Sequence, residues 1–262
     1  MEITGKTKIM FVLADPIGHV RASAVLNAYF RSIDDDVAVS PLHVLPADLG
    51  AVLASIRLMR NVVGFGVTIP HKTSVIEYLD EATPEVALIG AVNFVKRTAD
   101  GRLVGDNLDA RGFVASLAQH RIAVRGRKVL QVGAGGAGRA TAFGLAGAGT
   151  RELTIMNRDE AKARALAAAV SRRYPGTKVS AGHAEARSFD LIVNTTSLGM
   201  KIDDPLPLDL EGVGPGAAVS DIIVTPEVTP LLARAATQGA RTVGGRPMLD
   251  AQMVLVAKFI AR

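Results

Sequence analysis

The sequence predicts an α/β protein of two domains, and three observations support that prediction. Apolar segments of strand length alternate with helical segments along the whole chain, which is typical of parallel sheets covered by helices. A glycine-rich turn at residues 133–138 stands between a strand and a helix. The length of 262 residues allows one large domain or two modest ones, and a hydrophobic content of 48% is ample for packed cores.

The first half of the chain is predicted to form one α/β domain. Its strands are expected over residues 9–13, 37–44 and 62–67, and its helices over 23–32 and 47–59. Two further apolar segments, 91–95 and 103–105, flank the turn Ala99-Asp100-Gly101 and predict a β-hairpin. A helix beginning near Ala110 is expected to lead into the second half.

The second half continues the alternation. Strands are expected over residues 129–132, 153–156, 178–180, 191–194 and 218–222, with a helix over 139–148 that ends before Gly149. An amphipathic helix over 248–261 is expected to return and cover the first domain. The predicted domains are therefore residues 1–110 together with 239–262, and residues 111–238.

The glycine-rich turn is the clearest functional motif. Its residues are Gly133, Ala134, Gly135, Gly136, Ala137 and Gly138. This spacing allows a tight bend at the first glycine, a close approach of backbone N–H groups to a pyrophosphate at the second, and close packing of helix on strand at the last. The helix N-terminus then faces an anion. Because the next strand completes a β-α-β unit, the segment predicts a dinucleotide-binding Rossmann domain.

The residues after the second strand of that unit bear on the choice of dinucleotide. The guanidinium of Arg158 can pair with the 2′-phosphate of NADP, which favours NADP. Asp159 is open to two interpretations. It could accept a hydrogen bond from the free 2′-hydroxyl of NAD, or it could cap the helix that begins there. We therefore expect NADP as the cofactor, with NAD as the alternative.

Composition and charge argue against several other classes of function. The net charge of +5 comes from basic residues spread along the chain, so it favours a phosphorylated cofactor or a carboxylate substrate over a nucleic acid. The chain has no cysteine, and its five histidines are scattered without ligand spacing, so no metal site is expected. A signal-peptide pattern and an apolar stretch of membrane-spanning length are both missing, so we expect a cytoplasmic protein without membrane contact.

A series of ordered motifs makes the chain similar to one family. The motifs are DPIGH at 15–19, VTIPHK at 67–72, IGAVN at 89–93, DNLDARG at 106–112, the glycine turn, NR at 157–158, NTTSLGM at 194–200 and GRPMLDAQ at 245–252. In content and order they resemble the shikimate dehydrogenases and their quinate-using relatives, over nearly the whole chain.

The resemblance implies reversible hydride transfer between a ring carbinol and a nicotinamide, in a family that serves aromatic amino acid biosynthesis. Lys72 and Asp109 match the catalytic pair: the lysine donates a proton to the carbonyl oxygen, and the carboxylate orients the lysine and balances its charge. The implied substrate ligands are Thr68, Asn93 and Gln252. The implied cofactor-binding positions are the glycine turn with Asn157, Arg158, Thr195, Ser197 and Gly245.

Five positions depart from the family's pattern, all among its polar substrate contacts. Where the family has His-Ser-x-Ser-Pro, whose two hydroxyls hold the substrate carboxylate, the chain has His19-Val20-Arg21-Ala22-Ser23. An Asn, a Thr and a Tyr of the family are replaced by Gly66, Leu108 and Val224. Each lost hydrogen bond costs about 1–3 kcal/mol when its partner stays buried and unpaired, so shikimate should bind poorly. Arg21 or Ser23 could supply a replacement carboxylate ligand.

Three functions are compatible with this combination. The first is an NAD(P)-dependent dehydrogenase acting on a cyclic alcohol or hydroxy acid that is less polar than shikimate, because the catalytic pair is retained and the substrate contacts are not. The second is a conventional but weak shikimate or quinate dehydrogenase. The third is a catalytically silent nucleotide-binding protein, which the retained Lys72 and Asp109 disfavour. For each we expect a small-molecule ligand and a monomer or homodimer.

Overall fold

The computed structural model describes residues 2–18, 20–201 and 203–261, which form two compact units. The first unit contains the chain up to Leu108 and the chain from Met253 onward, and the second is Asp109–Gln252. The chain passes from the first unit to the second after Leu108, next to the predicted boundary after residue 110. The predicted return at residue 239 is wrong, because residues 239–252 belong to the second unit, where Arg241–Val243 forms a strand paired with Ala218–Asp221.

The first unit is built on one six-stranded sheet. Its strands are β1 (Lys8–Ala14), β2 (Val37–His43), β3 (Val62–Val67), β4 (Glu81–Ala82), β5 (Phe94–Arg97) and β6 (Leu103–Asp106). Its helices are α1 (Ala22–Ser32), α2 (Leu49–Leu58), α3 (His71–Ser74) and α4 (Pro84–Ile89), with 3₁₀ turns at Pro46–Asp48 and Val75–Tyr78. The strand order is β2-β1-β3-β5-β6-β4, so both β1 and β3 have a neighbour on each side.

Strand pairing in this sheet is mixed. β1 pairs in parallel with β2 and β3, because helices connect these strands. β5 pairs antiparallel with β3 and β6, and the turn at Gly101, with a φ of 88°, closes the predicted hairpin. The hairpin begins at Phe94, later than the predicted residue 91, because the N–H of Val92 donates to the carbonyl of Lys72 outside the ladder.

The second unit contains a six-stranded sheet in which every pair is parallel. Its strands are β7 (Lys128–Val132), β8 (Glu152–Met156), β9 (Lys178–Ala181), β10 (Leu191–Asn194), β11 (Ala218–Asp221) and β12 (Arg241–Val243). Its helices are α5 (Asp109–Gln119), α6 (Gly136–Gly147), α7 (Glu160–Arg173) and α8 (Pro230–Thr237), with a 3₁₀ turn at Ala186–Ser188. A last helix, α9 (Arg246–Ala261), begins in this unit and ends in the first.

The strand order of the second sheet, β12-β11-β10-β7-β8-β9, is that of a Rossmann fold. The direction in which the chain winds reverses between β7 and β10, and ligands of such sheets bind at that reversal, beyond the carboxyl ends of the strands. The predicted two-domain α/β fold is confirmed. None of the helices in the described ranges has both the length and the apolar character needed to cross a bilayer.

A buried arginine joins the hairpin of the first unit to the end of α2. Arg97 is 8% exposed, and its Nε donates to the carbonyls of Ile56 and Arg57, both at 3.1 Å. Its Nη2 donates to the Arg57 carbonyl at 2.7 Å, and its Nη1 to the Thr98 carbonyl at 3.0 Å. The guanidinium therefore satisfies carbonyls at the C-terminus of a helix, where a positive charge is also favoured by the helix dipole.

Replacing Arg97 with Met should lower the free energy of unfolding by about 2–3 kcal/mol, because the helix carbonyls would lose their charged donor inside the protein. Urea denaturation of the purified protein measures this change. Arg102→Met is the matched control, since Arg102 pairs with Glu81 at an exposed position on the same hairpin and should contribute less than about 1 kcal/mol. Equal losses in the two variants would contradict the capping role of Arg97.

Candidate active site

Three of the predicted substrate-side residues lie at one edge of the first sheet. Thr68 directly follows β3, Lys72 lies in the short helix α3 after it, and Asn93 directly precedes β5. The start of β5 is next to the end of β3, because Gly66 pairs with Phe94 and the N–H of Val67 donates to the carbonyl of Asn93 at 2.8 Å. The structure therefore brings Thr68, Lys72 and Asn93 together at the carboxyl end of β3.

The helix that carries Lys72 is fixed on two sides. The carbonyl of Lys72 accepts a 2.8 Å hydrogen bond from the N–H of Val92. The neighbouring His71 is fully buried, and its Nε2 donates to the carbonyl of Val44 at 2.8 Å. The Lys72 side chain itself is half-buried. This segment therefore has a fixed backbone and a lysine that solvent and ligands can reach.

Asn93 also has a protein partner. Its side chain is 5% exposed, and its Oδ1 accepts a hydrogen bond from the N–H of Leu108 at 2.9 Å. One end of the amide is thereby held in place while β5 begins at the next residue.

The segment predicted to replace the carboxylate contacts lies at the start of α1. Arg21 directly precedes that helix and is exposed, whereas Ser23 lies within it and is 8% exposed. Val20 and Ala22 are half-buried. His19 of the same motif lies outside the described residues.

The other departures from the family's pattern differ in their surroundings. Leu108 is fully buried, and a Cβ at Gly66 would come within 3.2 Å of the Phe94 ring. Neither position therefore offers an exposed polar side chain. Val224, in the second unit, is 40% exposed.

Asp109 and Gln252 contact each other in the second unit. Asp109 is the first residue of α5, and its Oδ1 accepts a 3.0 Å hydrogen bond from the Nε2 of Gln252 on α9. The two helices approach closely at Gly112, where a Cβ would lie 2.5 Å from Cγ of Gln252 and 3.2 Å from the carbonyl oxygen of Met248. The predicted substrate ligand Gln252 thus also fixes the carboxylate of the predicted catalytic Asp109.

The glycine turn has the backbone conformation that its sequence predicts. Gly133 has a φ of 111°, which L side chains rarely adopt. A Cβ at Gly138 would lie 2.5 Å from the carbonyl oxygen of Gly133, so only glycine fits without a shift. At Gly135 and Gly136 a Cβ would meet nothing within 4 Å. Helix α6 begins at Gly136, earlier than the predicted residue 139, and its first N–H groups border this open space.

A cavity of about 580 Å³ lies beside this turn, at the carboxyl ends of the second sheet's strands. The predicted cofactor residues Gly135, Asn157, Arg158 and Ser197 line it. Other residues that line it, among them Lys162, His183 and Thr196, were not predicted. Two signals could have found Lys162 and His183: Lys162 lies in the first turn of α7, the helix that follows Arg158, and His183 follows the end of β9.

The end of β8 shapes the cavity wall. Asn157 accepts from the N–H of Ala134 at 3.1 Å and donates to the carbonyl of Asp159 at 2.9 Å, so it ties the glycine turn to the next loop. Asp159 is the N-cap of α7 and accepts from the N–H of Lys162 at 3.2 Å. The capping interpretation of Asp159 is therefore confirmed. Arg158 is exposed at the cavity.

Two predicted cofactor residues serve packing within the protein. The hydroxyl of Thr195 donates to the carbonyls of Val132 and Gly133 at 2.8 and 3.2 Å, and the side chain is 8% exposed. Gly245 is buried, and a Cβ there would lie 2.2 Å from the carbonyl oxygen of Ile222. Both residues therefore shape the backbone around the site through protein contacts.

A buried carboxylate organises the ends of β10 and β11. Asp221 accepts from Asn194 Nδ2 at 3.0 Å, from the Thr229 hydroxyl at 2.8 Å and from the N–H of Ile223 at 3.0 Å. The Oδ1 of Asn194 in turn accepts from the N–H and the hydroxyl of Thr196, which lines the cavity. Burial raises the pKa of the Asp221 carboxyl above its ordinary value, and the three donors only partly offset that shift.

These features fit a dinucleotide. The backbone is open at Gly135 and Gly136, and the N-terminus of α6 lies beside it, which suits a pyrophosphate. The exposed Arg158, after the end of β8, suits an additional phosphate on the ribose.

Comparisons with known proteins agree with this geometry. Residues 12–95 match the model of the shikimate dehydrogenase substrate binding domain, and residues 116–203 match that of shikimate / quinate 5-dehydrogenase. The chain is 42% identical over 260 residues to a shikimate dehydrogenase (NADP(+)) of Geobacter metallireducens, covering 96% of this chain and 90% of the relative.

Two solved structures are also similar over nearly the whole chain. A shikimate dehydrogenase in complex with NADP+ has a TM-score of 0.91 and 33% identity, covering 99% of this chain and 91% of the other. The ligand-free 5-ketofructose reductase of a Gluconobacter strain has a TM-score of 0.92 and 29% identity, covering 99% and 95%. With matching models over both halves of the chain and relatives of this identity and coverage, the chain belongs to the shikimate dehydrogenase family.

Proposed function

We propose that the protein is an NADP-dependent oxidoreductase that interconverts a ring alcohol and its ketone, on a substrate less polar than shikimate. The observation that carries the proposal is a contrast among the residues that match the family's motifs. The reacting residues Lys72 and Asp109 are retained, whereas the serine hydroxyls expected near α1 are replaced by Val20 and Ala22.

The packing at two further positions supports an altered substrate. Leu108 is fully buried and apolar, and at Gly66 the ring of Phe94 lies within 3.2 Å of where a Cβ would stand, so neither position offers a polar side chain to a substrate. The similarly folded 5-ketofructose reductase bears the name of another substrate, so a fold of this kind is compatible with more than one reaction partner.

A conventional shikimate or quinate dehydrogenase is the second candidate. The 42% identity to a shikimate dehydrogenase (NADP(+)) and the retained Thr68, Asn93 and Gln252 favour it. Under this candidate, Arg21 or Ser23 takes over the substrate carboxylate.

The chemistry requires a proton carrier beside the reacting oxygen. NADP, when bound, supplies or accepts the hydride. In the reducing direction the ammonium of Lys72 donates its proton to the carbonyl oxygen as that oxygen becomes negative, and in the oxidising direction the neutral amine takes the proton back. Asp109, which Gln252 orients, matches the family's acidic partner of this lysine. Asn93 and Thr68 hold substrate hydroxyls.

Lys72→Ala should lower kcat by roughly two to four orders of magnitude, the usual contribution of a positioned acid or base, while the Kd of NADP changes little. Steady-state kinetics and fluorescence titration measure the two quantities. Lys6→Ala, at an exposed position of the same unit, should retain full activity. Near-normal turnover of the Lys72→Ala enzyme would show that Lys72 is not the proton carrier.

Two glycine substitutions should separate binding from folding. Gly135→Ala should leave Tm unchanged but raise the Kd of NADP about tenfold or more, because the methyl group would enter the space assigned to the pyrophosphate. Gly138→Ala should also lower stability, by about 1–3 kcal/mol, because its Cβ would meet the Gly133 carbonyl. Gly176→Ala, where a Cβ is unobstructed in the same unit, is the control. Unchanged NADP binding by Gly135→Ala would refute the assigned cofactor site.

Arg158→Ala should weaken NADP binding more than NAD binding, because only NADP has a 2′-phosphate for the guanidinium to pair with. The ratio of the two dissociation constants, measured by titration, is the readout. Arg164→Ala removes the same charge from α7, where Arg164 pairs with Glu160, and should leave that ratio unchanged. Equal losses for both cofactors in Arg158→Ala would exclude Arg158 from discrimination.

The substrate proposal is tested by restoring the two serines of the family. The parent should have a higher kcat/KM on a less polar ring alcohol than on shikimate or quinate. The Val20→Ser/Ala22→Ser double variant should raise kcat/KM for shikimate by about tenfold or more through the regained hydrogen bonds.

Gly66 and Leu108 are left unchanged in this test, because a side chain at Gly66 would press on the Phe94 ring and Leu108 is fully buried. Ala24→Ser, at an exposed position of α1, is the matched control and should not change specificity. If shikimate is the parent's best substrate in a panel assayed with NADP and NAD, the conventional candidate is correct. If the folded double variant gains nothing on shikimate, the serines do not explain the difference.

A further inference from the structure

A buried glutamine lies inside the second sheet, directly before the glycine turn. Gln131 is the fourth residue of β7, which has β10 and β8 on its two sides, and its side chain is 0% exposed. Strands buried on both faces of a parallel sheet are usually lined by apolar residues. A polar amide at this position therefore needs partners inside the protein.

The partners of Gln131 are the two ends of the turn. Its Nε2 donates to the carbonyl of Gly133 at 2.9 Å and to the carbonyl of Gly138 at 2.7 Å, which uses both of its hydrogens. Its Oε1 accepts a 2.9 Å hydrogen bond from the hydroxyl of Thr141, which is also 0% exposed. Because the two carbonyls can only accept, they fix Nε2 as the donor end of the amide, and the amide joins the first and last glycines.

The turn has no hydrogen-bonding side chain of its own, so its shape depends on neighbouring residues. All four residues between Gly133 and Gly138 are glycine or alanine, and one of them is held from outside, because the N–H of Ala134 donates to Asn157 at 3.1 Å. Gly133 is held to β8 by the donation of its N–H to the carbonyl of Met156, and to β10 by the hydroxyl of Thr195. Gln131 adds the link to Gly138, the third residue of α6, and so couples the position of the helix N-terminus to that of the turn.

We propose that Gln131, oriented by Thr141, is a positioning residue that holds the glycine turn in the conformation that receives the cofactor's pyrophosphate. The inference rests on the proposed function, which assigns this turn to NADP. A backbone turn that is already ordered binds its ligand more tightly than one that the ligand must order. Loss of Gln131 should therefore raise the Kd of the cofactor and leave the rate of the chemical step unchanged.

Gln131→Leu tests the proposal, because leucine is of similar size and has no hydrogen-bonding group. The Kd of NADP should rise about tenfold, the scale of a lost buried hydrogen-bond pair. The Kd of adenosine 2′-monophosphate should stay unchanged, because this probe has no 5′-phosphate to contact the turn. The kcat at saturating NADP should also stay unchanged. Gln238→Leu, which removes an amide whose buried Oε1 has no partner at the end of α8, should leave both dissociation constants at parent values.

A second pair of variants keeps the test decisive if Gln131→Leu does not fold. Thr141→Val removes only the hydroxyl and should weaken NADP binding by a smaller factor, whereas Thr141→Ser should bind NADP like the parent. Unchanged NADP affinity in Thr141→Val or in folded Gln131→Leu would overturn the proposal. Equal weakening of NADP and adenosine 2′-monophosphate would also overturn it, since that pattern indicates general loosening of the unit.

The Gly135→Ala result separates this inference from the function on which it rests. If Gly135→Ala weakens NADP binding and Gln131→Leu does not, only the role of Gln131 fails. If neither variant weakens NADP binding, the assigned cofactor site itself is wrong.

Discussion

Parallel strand pairing is the constraint on which both candidate sites depend. Parallel neighbours cannot be joined by a tight turn, so helices connect β1 to β2 and β7 to β8, and the carboxyl ends of these strands fall on one edge of each sheet. Thr68 and Lys72 follow β3 at that edge, and the glycine turn, Asn157 and Thr195 follow β7, β8 and β10. Residues far apart in sequence thus become neighbours without any direct interaction having to draw them together.

Within each sheet, close backbone contacts at glycines and hydrogen bonds of buried polar side chains set the exact positions of the site residues. Gly112 lets α9 come near enough to α5 for Gln252 to reach Asp109, and Gly138 lets α6 come near the carbonyl of Gly133. Buried amides and hydroxyls then fix distances that packing alone leaves loose: Asn93 with Leu108, Asn194 with Asp221, and Thr195 with Val132. Misplacing such groups by even an ångström weakens both binding and catalysis, so these supporting contacts belong to the site as much as the reacting residues do.

The sequence sufficed for features that depend on local pattern. The hairpin at Gly101 and the Rossmann unit around Gly133 follow from spacing and residue type, whereas the sequence left two roles open for Asp159, of which the structure shows the cap. It failed where tertiary contacts decide: β12 is too short to be recognised and exists because it pairs with β11, and α6 begins inside the glycine run because Gly136 already lies in the helix. The roles of Gln131 and Thr195 were also hidden, since a polar residue in an apolar strand does not reveal which carbonyls it will meet.

The buried Asp221 has a consequence for the balance between stability and function. Because its pKa is raised in the folded state, the folded protein holds that proton more tightly than the unfolded chain does. Its contribution to stability is therefore complete below the unfolded pKa and is lost as pH rises through the folded pKa. This carboxyl lies at the strand ends that order Asn194 and Thr196. Thr196 lines the cavity beside the glycine turn, so a ligand that binds there and further orders these strand ends would add to the stability of the second unit.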